Sequence, residues 1–151
     1  MVGCVLGYVI KRIFGVILAG MLPTLAYASD KPVNYTGHYE LVDNHPDRIF
    51  TLDLSQSGSR VKVVFFAEVR NDPGAKPAGK GLGRVNDQGI LEFTFKDSFA
   101  NEGSGTLEPA NNGYRIEMRI TKFVDPAPLH FYGDLTLRRT SDKLQKIVSS
   151  D

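Results

Sequence analysis

Apolar residues in this chain recur at every second position in five separate runs, and that spacing commits it to sheet. Phe50, Leu52 and Leu54 alternate with Thr51 and Asp53. Val61, Val63, Phe65, Ala67 and Val69 share one side of the next run, with Lys62 and Glu68 on the other. Leu91, Phe93 and Phe95 alternate with Glu92, Thr94 and Lys96. Tyr114, Ile116, Met118 and Ile120 alternate with Arg115, Glu117, Arg119 and Thr121. The fifth run, 129–138, sets Leu129, Phe131, Leu135 and Leu137 against His130, Tyr132, Asp134, Thr136 and Arg138. Successive side chains of an extended chain point to opposite sides, so each run offers one face to a core and one to water or a cavity. No segment from 29 to 140 carries a helical period.

The connections agree. Gln56-Ser57-Gly58-Ser59, Asn86-Asp87-Gln88-Gly89 and Asn111-Asn112-Gly113 sit between alternating runs. Asn and Gly supply the positive φ that tight hairpin turns require. Shorter runs at 37–42, 80–85 and 104–107 bring the total to about eight strands at hairpin spacing. The predicted fold is all-β: an antiparallel up-and-down meander closing into a small barrel or sandwich, which also removes exposed strand edges. It occupies 29–140 as one domain. In the tail, 141–151, Leu144, Ile147 and Val148 fall at helical spacing, but the segment is too short for a helix that stands alone.

The start of the chain reads differently. Lys11 and Arg12 precede an apolar run from Ile13 to Leu22; Pro23 breaks it, and Ala26-Tyr27-Ala28 places small residues at a cleavage point. This pattern predicts a secretory signal peptide over 1–28. The competing reading is an uncleaved anchor, although the run is shorter than the ~20 residues a membrane span needs. Losing Lys11 and Arg12 with the leader takes the formal net charge from +1 to −1. A near-neutral domain exerts no long-range pull on nucleic acid. Cys4 lies in the leader, so the mature domain has neither disulfide nor thiol chemistry and must be held by packing. The expected location is periplasmic or secreted.

The run Tyr35-Thr36-Gly37-His38-Tyr39-Glu40-Leu41 resembles the opening strand of the calycin superfamily, the lipocalins and their bacterial lipocalin-like relatives. Those families begin the first strand with Gly-x-Trp; here Gly37 fits and Tyr39 stands in the Trp position. The resemblance implies an Arg on the last strand packed across the first-strand aromatic, a role for Arg138 or Arg139. The stretch 50–61 is also similar to a strand–turn–strand of small bacterial lipocalin-like domains. The resemblance speaks for a barrel more than for any ligand, since one fold hosts many functions.

Few constellations carry chemistry. His38, Asp43, His45 and Asp47, with His130 further on, are residue types that ligate metals, but their spacing matches no tight metal pattern and no metal site is predicted. Ser98 lacks the Gly-x-Ser-x-Gly context of a nucleophile elbow. The stretch 71–84, rich in Gly and Pro, reads as the longest loop and carries Lys76, Lys80 and Arg84. A second polar loop near 97–105 carries Asp97 and Glu102, and Asp97 and Ser98 there can bond their own backbone amides in a tight turn. Tyr132, Arg115, Arg119 and Arg138 fall on outward positions of the last strands.

The expected function is therefore binding, not catalysis, with no cofactor. In the first reading the barrel interior or mouth holds a small apolar or amphipathic ligand against Tyr39, Phe50, Phe65, Phe93, Met118 and Phe131. In the alternative, the domain is a protein-interaction module, such as an inhibitor or immunity protein for a cell-wall hydrolase. It then contacts its partner through Lys76, Lys80, Arg84, Asp97 and Glu102.

Overall fold

A computed structural model describes residues 33–42 and 46–144; the predicted leader, Asp43, His45 and the tail beyond Leu144 lie outside the described residues. The strands follow one another as β1 (Gly37–Leu41), β2 (Arg48–Ser57), β3 (Arg60–Val69), β4 (Ala78–Val85), β5 (Leu91–Asp97), β6 (Glu102–Ala110), β7 (Gly113–Lys122) and β8 (Asp134–Ser141). Each pairs antiparallel with the next, and β8 returns to pair with β1, so the meander closes into an eight-stranded barrel. The predicted turns form where expected. Gly58 (φ +59°) and Gly89 (φ +79°) take left-handed conformations there. The Asn86 side chain accepts hydrogen bonds from the Gln88 and Ile90 amides, which fixes the β4–β5 turn.

The apolar sides of the alternating runs converge inside. Leu52, Leu54, Phe65, Leu91, Leu107, Ile116 and Leu137 lose all contact with water. A small barrel has an interior just wide enough for its own side chains, and glycine makes the aromatic ones fit here. β4 turns Gly79, Gly81 and Gly83 inward, and β6 turns Gly103 and Gly105 inward. A Cβ on Gly105 would lie 2.5 Å from Phe93 Cζ and 2.7 Å from the Glu117 carbonyl oxygen. A Cβ on Gly103 would strike the Phe95 ring, and one on Gly79 the Phe65 ring. The bare backbone lets three phenyl rings lie against it.

Three sequence expectations need correction. The run 129–138 is not one strand. Leu129–Phe131 forms a 3-10 turn and β8 begins only at Asp134. Pro126 and Pro128 remove backbone donors just before it, and Gly133 (φ +138°) adopts a conformation unsuited to side chains. Phe131 is still buried, but from the turn, while Leu129 stays exposed. The segment 71–84 is also not one loop: the strand expected at 80–85 is present as β4, begins already at Ala78 and pairs with β3 and β5. Its glycines serve close packing under Phe rings, not mobility. Ser141, assigned to the tail, completes β8.

Candidate functional site

The interior candidates come together. Tyr39, Phe50, Phe65, Phe93, Met118 and Phe131 all belong to one core cluster, none more than 4% exposed. Phe50 stacks on Phe65 at 5.9 Å, and Phe95 meets Phe65 edge-on at 5.2 Å. These rings touch one another and the barrel wall.

The two barrel ends are closed differently. At one end the inward row Leu91, Phe93, Phe95 finishes with Asp97, which is buried and not a surface contact as expected from sequence. Asp97 Oδ1 accepts from the Phe99 and Asn101 amides; Oδ2 accepts from Asn101 Nδ2 and, at 2.6 Å, from the Tyr132 hydroxyl. Asn101 Oδ1 accepts in turn from the Val124 and Asp125 amides. This network ties the β5–β6 turn to the β7–β8 connection. Tyr132 is thereby held inward, not outward, and burial together with the bond to Asp97 keeps its hydroxyl neutral well beyond the usual range.

At the other end the Tyr35 hydroxyl donates to the Gly89 and Leu107 carbonyls, and burial pushes it up to about 12. The Tyr39 ring meets Tyr114 edge-on at 5.0 Å. The Arg139 guanidinium lies 6.0 Å from the centre of the Tyr39 ring and donates to the Thr36 carbonyl. Of the two arginines the resemblance offered, Arg139 takes the part, because it continues the inward row of Leu135 and Leu137.

On the outward side of β1 and β2, His38 donates from Nδ1 to Asp53 Oδ1 at 2.9 Å, with Glu40 3.4 Å from Nε2. No group of three His, Cys, Asp or Glu able to hold a metal exists among the described residues. Ser98 is a turn residue whose hydroxyl accepts from the Ala78 amide.

Among the described residues, concave surface is found on the outside of the barrel wall. Two adjoining grooves, about 820 and 770 Å³, run over the outer faces of β3 to β7 and share Leu82 and Thr94. Leu82 is 67% exposed between them. Lys80 and Arg84, picked out as loop residues, stand here on β4; Glu102 stands here on β6 and pairs with Lys122 at 3.2 Å. Lys76 lies apart, in the β3–β4 loop, paired with Glu68 at 3.1 Å.

Sequence reasoning passed over Arg60, Lys62 and Lys96, which complete this surface. Register reveals them: Arg60 stands directly opposite Arg84, Lys62 opposite Leu82, and Lys80 opposite Lys96. The signal was present in the polar half of the alternation and needed only the hairpin turns to align it. No family model, curated protein or solved structure matches this chain.

Proposed function

We propose that this domain is an exported, non-enzymatic binding module that recognises its partner through the outer groove of β3–β7, with the barrel interior as a packed scaffold. One contrast carries the reading. Inside, β4 and β6 are reduced to glycine so that Phe65, Phe93 and Phe95 fill the space. Outside, the same β4 leaves Leu82 67% exposed in a groove of about 820 Å³. An apolar group kept in water within a concave, polar-rimmed surface is the usual mark of a contact site. The leader pattern supports a periplasmic or secreted location. Gly37, Tyr39 beneath Arg139 and the closed meander support kinship with the calycins, in a version whose wall, not its cup, does the binding.

Anilinonaphthalene sulfonate, an apolar anion, tests the reading. Its fluorescence is expected to rise on the folded domain, to be lost in Leu82→Glu and to persist in Phe93→Leu, with circular dichroism establishing that both variants remain folded. Dye binding that survives Leu82→Glu and disappears in Phe93→Leu puts the ligand in the interior and overturns the proposal.

A further inference from the structure

The outer face of β3–β5 carries charges in an arrangement that folding alone disfavours. Arg60 faces Arg84 across one strand pair and Lys80 faces Lys96 across the next. Like charges directly opposite each other destabilise a sheet. Two carboxylates offset part of this charge, but Arg60 and Lys80 have none directly opposite, facing Ser57 and Arg84, and Val64 and Lys96. Glu92, opposite Arg84, accepts from Asn86 Nδ2 at 2.8 Å. Glu102, opposite Lys96, pairs with Lys122. The whole chain carries a formal net charge of only +1, so this concentration of cations is local.

Resting on the groove reading above, we infer that the groove takes an extended acidic segment of a partner protein, with carboxylates flanking one apolar side chain. The spacing on β4 defines it. Lys80, Leu82 and Arg84 project from the same face of one strand. Their rise places the two cations about 13 Å apart with Leu82 midway. An extended chain has the same repeat, so a segment lying along β4 with an acidic–x–apolar–x–acidic pattern sets its side chains over these three residues. Lys96 and Arg60 reinforce the charge at each end. The closed barrel offers no free edge, so recognition runs through side chains and not through strand addition. A lipid surface fits less well, because Leu82 sits among longer arginine and lysine side chains and forms no apolar crest.

The test uses a fluorescein-labelled peptide containing Glu-Ser-Leu-Ser-Glu and a control of identical composition with its two Glu adjacent. Fluorescence anisotropy is expected to show saturable binding of the first, weakening as salt rises. The control is expected to bind clearly less well. Lys80→Glu combined with Arg84→Glu lowers affinity about tenfold or more. Lys143→Glu, a charge reversal beyond β8 on the far side of the barrel, leaves it unchanged. Equal binding of the two peptides, or an equal loss in Lys143→Glu, overturns the inference by reducing it to unspecific charge attraction. So does binding to phosphatidylglycerol vesicles in the absence of peptide binding. If the dye still reports on Leu82 while the peptide fails, the acidic segment is lost and the groove reading stands.

Discussion

The inner and outer faces of β4, β5 and β6 obey different rules. On the inner face every residue is explained by its neighbour: Gly79 by Phe65, Gly103 by Phe95, Gly105 by Phe93. On the outer face Arg60 meets Arg84, Lys80 meets Lys96 and Leu82 meets water; Glu92 opposite Arg84 and Glu102 opposite Lys96 offset only part of the repulsion. Selection for folding explains the first pattern. The second pattern weakens the sheet, which points to something outside the chain. In the proposed reading the binding surface lies where residue choices stop being explained by packing.

The contrast breaks most visibly from the inside. Phe65 touches Phe50, Phe95 and Tyr132 and lies over Gly79. Phe65→Ala empties the centre of the barrel, and a loss of about 3–5 kcal/mol is expected in chemical denaturation. Gly79 cannot refill the space, having no side chain. A loss below about 1 kcal/mol would mean that the interior is loosely filled, and the distinction between packed inside and functional outside would fail.

Asp97 sharpens the same comparison at the barrel end. Four donors converge on its two oxygens. Asp97→Ala strands them, at an expected cost of about 2–4 kcal/mol, since buried donors without acceptors pay their full desolvation penalty. Thermal melts should show the drop with peptide affinity at low temperature unchanged, because Asp97 belongs to the inner row.

The fold was largely legible because period-two alternation and Asn/Gly turns are local signals. The misreadings have physical causes. Strand β4 is expected at 80–85, yet the loop reading of 71–84 runs into it because its inward residues are glycines, and their partners, Phe65, Phe93 and Phe95, lie on other strands. Phe131 kept the alternation but reached the core from a 3-10 turn, since two prolines and Gly133 delay the start of β8. The tight-turn role of Asp97 was legible, and the Phe99 and Asn101 amides bond to it, but its burial was not, because nothing local announces that Asn101 Nδ2 and Tyr132 will satisfy it. The groove was half visible. Lys80, Arg84 and Glu102 were singled out, but Arg60, Lys62 and Lys96 join them only through register across three strands.

Tyr35 gives a pH dependence of smaller size. Its hydroxyl ionises near 10.0 in the unfolded chain and at about 12 in the barrel. Below the first value both states are neutral and the stabilisation is complete. Between the two, only the unfolded chain loses the proton, so stability falls as pH rises. Tyr39 and Tyr132, also raised by burial, push in the same direction. Melting temperature should therefore decline above pH 10, and Tyr35→Phe, costing about 1 kcal/mol at neutral pH through its lost hydrogen bonds, should make that decline shallower. An unchanged slope would mean the Tyr35 hydroxyl is not shielded by the barrel.

The smallest expected effect has the opposite sign. Lys80→Glu replaces a like-charge pair with Lys96 by an attractive one, and its other cross-strand neighbour is the uncharged Val64. Such cross-strand pairs are worth roughly 0.2–1 kcal/mol, so the variant should be slightly more stable than the natural chain, most clearly at low salt. It should also bind the acidic peptide less tightly. Stability gained and affinity lost at one residue is the signature of a surface kept for a partner against the interest of the fold. If Lys80→Glu instead lowers the melting temperature, the lysines are compensated within the barrel itself, and the outer face needs no partner to explain it.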